Sequence, residues 1–308
     1  MPNGLLNVHK PPGPTSRQVV DAAQRAVRPA KVGHAGTLDP LASGVLVICV
    51  GAATRLIQYV QQMPKRYTAT FLLGRRSPTE DIQGEVAPLQ NAPVPAHEQI
   101  LAAARTLVGR IQQRPPAFSA LKIGGRRAYD LARQGLAPDL APRPVTVYAC
   151  EVLRYEYPEL VLGVECGGGT YVRSLGRDLA ESLGTAAVMS ALVRTAIGPF
   201  RVEDAVDFAK LNAENLLRHL LPMLRAVETL PQMVLTSEEL ARIRNGLAVR
   251  RGDCPTSRVG ENGTVPFGPA ADSGEIAALD AAGRLVAILC PRGGPDAGGP
   301  DPTAAAGL

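Results

Sequence analysis

The stretch GHAGTLDPLASGVLVICVG, residues 33–51, decides how the rest of the chain is read. Its second half, Ser43 to Val50, is compact and rich in β-branched residues, the pattern of a strand. Its first half turns sharply: Gly33 and Gly36 free the backbone, and Pro40 stiffens the exit. One carboxylate, Asp39, stands in this almost uncharged run with no basic residue near it in sequence. A turn or cap is the commonest post for such an acid, but desolvation makes the site a costly one and asks for a partner from elsewhere.

Working outward, PTSRQVVDAAQRAV offers hydroxyl N-caps at Thr15 and Ser16, and Val19, Val20, Ala23 and Val27 follow at helical spacing. AATRLIQYVQQM reads as a helix closed by Pro64, and RYTATFLLG as a half-buried strand. A proline-rich loop over residues 88–96 precedes a helix from about His97 to Val108. PVTVYACEVLRYE and ELVLGVECG are strands whose tight YPE connection predicts antiparallel pairing. After three glycines, TYVRSLGRDLAESLG reads as a helix ending at Gly184. Strands and helices do not alternate steadily, so the fold class is α+β.

Composition changes near residues 228–236. A helix with a capping-box start at Thr236 or Ser237 follows, then the hairpin EIAALDAAGRLVAILC with DAAG as its turn. This assigns residues 229–292 to a small β-rich second domain. Residues 293–308, rich in glycine and proline, read as a disordered tail.

The 308 residues, 45% hydrophobic and 20% charged, are those of a globular protein. The longest apolar stretch, Gly44 to Ala53, is about ten residues, roughly half of a membrane span. MPNGLLNVHKPPG lacks the long apolar segment of a secretory signal, and a cytoplasmic protein is expected. Cys49, Cys150, Cys166, Cys254 and Cys290 are scattered and suggest neither a disulfide framework nor a metal site. Charge is unevenly placed. Arg105, Arg110, Arg114, Lys122, Arg126, Arg127 and Arg133 face a single acid, Asp130, over residues 105–133. With Phe118, Tyr129 and a KIGGRR turn among them, this run suits a loop that wraps a nucleic-acid backbone, although a solvated surface is the commoner use of such charge.

GHAGTLDPLASGVL closely resembles the active-site motif of the TruB family of tRNA pseudouridine synthases. KRY at 65–67, RPPAFSALKIGGRRAYDLARQG at 114–135, GGGTYVRSLGRDL at 167–179 and LVRTAIGPF at 192–200 resemble further blocks of that family in the same order. The resemblance implies a catalytic domain over 1–228 with a mixed, largely antiparallel sheet of the pseudouridine synthase type. It makes residues 105–143 an RNA-gripping insertion and the second domain PUA-like, directed at the tRNA acceptor stem. The implied reaction isomerises uridine to pseudouridine at position 55 of the tRNA T arm. Every atom comes from the substrate, so neither a cofactor nor a metal is expected.

By that resemblance Asp39 is the nucleophile, or a base, and Arg173 holds it ionised and oriented. Taken alone, Arg173 reads equally as an exposed helix residue. Tyr67 lies against the flipped base, Tyr171 supports the pocket and Leu192 forms its apolar wall. His34 fills the gap that the flipped base leaves. Lys65, Arg126, Arg127 and Arg194 are assigned to substrate binding. The family commonly has two arginines where this chain has Val193 and Arg194, which implies an altered phosphate contact. A stand-alone monomer needing no guide RNA is expected, because the insertion supplies substrate binding. The rival readings are a non-catalytic tRNA-binding protein or chaperone, and a guide-dependent relative.

Overall fold

The computed structural model describes residues 1–119, 121–123, 125–136, 140–212, 214–249 and 274–290; the expected tail at 293–308 lies outside them. Strand β1 (Gly4–Lys10) and helix α1 (Ser16–Val27) open the chain. Thr15 closes a capping box with Gln18, and Val19, Val20, Ala23 and Val27 face the core, as their spacing predicts. Next, β2 (Val32–His34) and β3 (Ser43–Val50) flank the Asp39 turn. The unbroken apolar character of β3 follows from its place: it is buried from Gly44 through Val50 between β1 on one side and β2 and the later strand Ala187–Ile197 on the other.

Residues 52–63, expected as one helix, divide into a 3₁₀ turn over Gly51–Leu56 and α2 (Ile57–Gln62). The Thr54 hydroxyl donates to the Gly51 carbonyl at 2.8 Å, a local bond that competes with regular α-helical pairing. Strand β4 (Lys65–Leu73) follows, then the short pair β5 (Arg75–Arg76) and β6 (Ala87–Pro88). Helix α3 (His97–Thr106) leads into β7 (Gly109–Gln113). The segment expected as an insertion holds, among the described residues, the two-stranded pair β8 (Lys122–Ile123) and β9 (Arg126–Arg127), followed by α4 (Ala128–Arg133). Then β10 (Arg143–Glu156) and β11 (Glu159–Cys166) pair antiparallel, as expected. Helix α5 (Val172–Ser182) stops just before Gly184, whose φ is 72°. It lies hard against β4: a Cβ on Gly176 would sit 2.0 Å from the Phe71 ring, so only glycine admits this approach. The strands β12 (Ala187–Ile197), β13 (Phe200–Arg201) and β14 (Val206–Asp207) follow.

Among the described residues, the main sheet runs β14-β1-β3-β12-β4-β11-β10-β7, with β13 beside β12 and β2 beside β3. Pairing is antiparallel except for β1 with β14 and β3 with β12. Sequence patterning does not announce β1 or β12. β1 buries the polar Asn7 and Lys10, while β12 carries the buried Arg194 and two register shifts that break its alternation.

The small C-terminal unit joins β15 (Gln232–Val234), α6 (Ser237–Arg244), β16 (Ile276–Leu279) and β17 (Leu285–Leu289) into a three-stranded sheet with a helix. Thr236 is the helix cap, and the Asp280 carboxylate closes the expected hairpin by accepting from Ala282 N and Arg284 N at 3.0 and 2.9 Å. The fold is thus α+β: a large, mostly antiparallel sheet with helices, plus a small second sheet. Two cores line the main sheet. Leu6, Val8, Leu46 and Ile48 face α1, while Leu5, Val45, Val47 and Cys49 face the other way. That second core also takes Val227, Leu230, Leu279 and Leu285, so apolar packing runs across the expected boundary at residue 228. Among the described residues, no helix is long and apolar enough to cross a membrane.

Candidate active site

The turn over residues 33–42 is held from several sides. Ser16, the first residue of α1, receives the Leu38 N–H at 2.8 Å and returns its hydroxyl to the Leu38 carbonyl at 3.0 Å. Gly13 N donates to the Pro40 carbonyl at 2.8 Å, and Ala35 N to the Val47 carbonyl at 2.9 Å. From β12, Arg194 donates through Nε to Val45 O at 2.8 Å, through Nη1 to Thr37 O at 3.3 Å, and through Nη2 to Gly36 O at 3.2 Å. β12 comes this close because Gly44 faces it; a Cβ there would sit 2.2 Å from the Arg194 carbonyl oxygen. Backbone carbonyls of a sharp turn have no strand partner, and the buried guanidinium fork satisfies two of them, Gly36 and Thr37, together with Val45 of β3.

Asp39 leaves this turn with 38% of its side chain exposed, and Arg173 is its partner: Nη2 lies 3.0 Å from Oδ2. The question posed by the sequence is answered by α5, which brings the basic residue. Arg173 is only 7% exposed, and both of its terminal nitrogens are engaged. It donates to Thr79 O at 2.7 Å and Phe118 O at 3.1 Å, and Nη1 lies 3.4 Å from Asp81 Oδ2. Asp81 is in turn held by the Thr79 hydroxyl at 2.6 Å and Gln83 N at 3.0 Å. The arginine therefore cannot swing away from Asp39 without stranding a buried carboxylate, a loss of about 3–5 kcal/mol.

Tyr67, on β4, sits opposite Arg194 on β12. Burial pushes the phenol above its ordinary value, so it stays protonated. Leu192, next but one on β12, is buried. Tyr171 precedes α5 and is clamped by Gln113, which accepts from its N–H at 2.8 Å and donates to its carbonyl at 3.0 Å. The Arg143 guanidinium lies 5.2 Å from the centre of its ring. His34 ends β2, half-buried, and burial lowers its imidazole so that the ring stays neutral near pH 7.

Two residues expected at the substrate surface lie inside. Arg194 is 2% exposed and spent on carbonyls, so it braces the Asp39 turn where the sequence suggested a phosphate contact. Lys65 is buried as well, donating to Met63 O at 2.6 Å and to Gln61 O; desolvation pulls its ammonium down to about 8. Arg126 stands apart on the insertion, exposed, and donates to Gln134 Oε1 at 2.6 Å. The backbone of Arg127 pairs with Lys122, while its side chain lies outside the described residues.

Sequence reasoning missed Ser16, Lys10 and Asp81. Lys10 is fully buried, donates to Pro11 O and Pro14 O at 2.9 Å each, and is pulled down to about 8 by burial against the opposing influence of Asp39. No local pattern marks these three as site residues. Ser16 meets Leu38 and Asp81 meets Arg173 across distant parts of the chain, while Lys10 is turned back onto carbonyls of the loop that follows it. Together the groups make a half-exposed carboxylate, fixed by a guanidinium and flanked by a tyrosine, able to attack a bound electrophile or take a proton from it.

Residues 24–172 match the model of the N-terminal domain of the TruB family pseudouridylate synthases, and residues 173–230 match that of the tRNA pseudouridylate synthase B C-terminal domain. The chain is 41% identical over 252 residues to the tRNA pseudouridine synthase B of Dehalococcoides mccartyi, covering 80% of this chain and 84% of the relative. It is 40% identical over 304 residues to that of Arthrobacter sp. strain FB24, covering 96% and 94%. Among solved structures, a Cbf5-Nop10-Gar1 complex is matched with a TM-score of 0.67 at 28% identity, over 93% of this chain and 78% of that one. An H/ACA RNP bound to a substrate RNA containing 2′-deoxyuridine is matched at 0.64 and 26%, over 92% and 77%. The chain therefore belongs to the TruB family of pseudouridylate synthases.

Proposed function

We propose that this protein isomerises uridine to pseudouridine in tRNA, at position 55 of the T arm, as a stand-alone monomer without a guide RNA. The observation that carries the reading is the Asp39–Arg173 contact, an acid from one motif meeting a base from another at 3.0 Å. In the reaction the ribose C1′–N1 bond breaks, a C1′–C5 bond forms, C5 loses a proton and N1 gains one. Nothing else enters or leaves. Asp39 acts as the nucleophile, and Arg173 keeps its free oxygen turned toward the substrate. Tyr67 and Leu192 offer a flat and apolar wall to an extruded base, and His34 takes the place that the base vacates. Tyr171 supports the pocket edge. Arg126 and Arg127 grip the phosphate backbone from the insertion, and the C-terminal unit reaches toward the acceptor stem.

The test is release of tritium from C5-labelled uridine in an unmodified tRNA transcript, with no guide RNA, followed by mapping of the product. Conversion confined to position 55 is expected. Release only with added guide RNA would make the chain guide-dependent, and tight tRNA binding without release would make it a binding protein.

A further inference from the structure

Helix α5 carries two arginines one turn apart, Arg173 and Arg177, and both reach the same two segments. Arg173 donates to Thr79 O at 2.7 Å on one side and to Phe118 O at 3.1 Å on the other. Arg177 pairs with Glu80 on the first side and donates to Arg114 O at 2.8 Å on the second. Residues four apart share a helix face, so the two guanidinium groups stack as successive rungs. Each rung ties the 79–81 loop to the 114–118 segment that leads into the insertion.

The second rung is built as carefully as the first. The Arg177 and Glu80 side chains are 11% and 14% exposed. Asp178 accepts from Arg177 Nε and Nη2 at 2.9 and 2.7 Å. The other Glu80 oxygen accepts from Ser174, the neighbour of Arg173, at 3.0 Å. Glu80 sits in the left-handed region, φ 61°, an uncommon conformation for a residue with a Cβ, and adjoins Asp81. Its backbone is pinned there: Met189 N donates to Glu80 O at 3.0 Å, and Glu80 N to Ser77 O at 3.1 Å. Unlike the first rung, the second stands a helical turn away from Asp39.

We propose that Arg177 and Glu80 are positioning residues for the isomerisation: they lock the 79–81 loop and the base of the insertion onto α5, and so hold the Arg173 fork on Asp39. RNA seated on the insertion bears on the same arginine through residues 114–118. The inference rests on the function proposed above.

Arg177→Gln, Arg177→Lys and Glu80→Gln test it, with single-turnover tritium release at saturating unmodified tRNA, the tRNA Kd and the urea midpoint measured on each. A displacement of the reacting groups by an ångström or less is enough to slow chemistry, so Arg177→Gln should lower the rate about tenfold to a hundredfold with Kd within about twofold of wild type. Arg177→Lys keeps the Glu80 pair and loses the fork; its rate should fall between the two. The double variant Arg177→Gln/Glu80→Gln should be no slower than Arg177→Gln, because the pair acts as one unit. Should Arg177→Gln not fold, the other two single variants carry the same comparison. Wild-type rates in the folded variants, or a change confined to Kd, overturn the positioning role. A wild-type protein that releases no tritium overturns the function proposed above, and this inference with it.

Discussion

Arg173 joins Asp39 to Asp81 through one guanidinium, with Nη2 at 3.0 Å from the first carboxylate and Nη1 at 3.4 Å from the second. The first is 38% exposed and the second 4%, so the same cation serves a half-exposed acid at the surface and a buried one within. Nη1 also donates to the Thr79 carbonyl and Nη2 to that of Phe118. An arginine in this setting is preorganised, because each bond it makes opposes the loss of another.

Asp39→Asn keeps the size of the side chain beside Arg173, and removes the charge and the proposed nucleophile. The protein should fold and bind tRNA with near-normal affinity, while tritium release falls by at least about four decades. Substantial release by a preparation free of wild type would assign the chemistry to another residue.

Replacing Arg126 and Arg127 together with alanine should weaken tRNA binding and flatten its salt dependence. Each lost phosphate contact lowers the slope of log K against log salt by roughly one. Turnover at saturating tRNA should barely change, since Arg126 is exposed and its side chain donates locally, to Gln134. Binding titrations from low to high salt measure this, and an unchanged slope removes the backbone-grip role.

Lys65 releases its proton near pH 8 in the folded protein, against 10.5 in its ordinary state. Between these values the unfolded chain binds more protons, so the contribution of this group to stability rises with pH. Its desolvation cost is present in full below about pH 8 and fades above it. Relative to Lys65→Met, the wild type should therefore gain on the order of 2 kcal/mol between pH 7.5 and 10, read from urea midpoints. Comparing the two proteins cancels the opposite drift from Cys49 and Cys166, whose thiols burial raises to about 12 and about 11. A difference independent of pH would mean that the ammonium is well solvated.

A chain ending at Glu228 loses Leu230, Leu279 and Leu285 from the core they share with Leu5, Val45 and Phe200. At about 2 kcal/mol for each large apolar side chain, the loss amounts to several kcal/mol, even though the Asp39–Arg173 contact lies within the retained part. The truncated protein should melt at lower urea, still turn over a T-arm stem-loop in the cold, and bind full tRNA less tightly. An unshifted midpoint would show that the two units are energetically separate.

The local elements were legible because their signals lie within a few residues. The Thr15 and Thr236 capping boxes, the alternation of β11 and the short turn joining β10 to β11 each involve neighbours in the chain. β12 was not legible, because its two register shifts erase the period that identifies a strand. The helix expected over 52–63 became a 3₁₀ turn and α2, because the Thr54 hydroxyl bonds back to the Gly51 carbonyl. Within the site, Asp39 stood out as a lone acid in an apolar run. Asp81 and Lys10 did not, since nothing beside them in sequence shows that they are buried.

By itself the sequence determined the ordered motifs, the Asp39 turn, the strand after it and the helix that carries Arg173. Only the tertiary structure decided which cation serves which acid. Arg194 reads like a phosphate contact and Lys65 like a substrate-binding residue, yet the order β3-β12-β4 draws both inward, onto carbonyls of the Asp39 turn and of the chain before β4. Arg173, which could have been an exposed helix residue, meets Asp39 because Gly176 lets α5 settle against Phe71. Helix caps and strand alternation depend on neighbours along the chain. The partner of a buried charge depends on which distant strands adjoin, because in a low-dielectric interior every charge and every orphaned carbonyl must be matched by whatever the fold brings within reach.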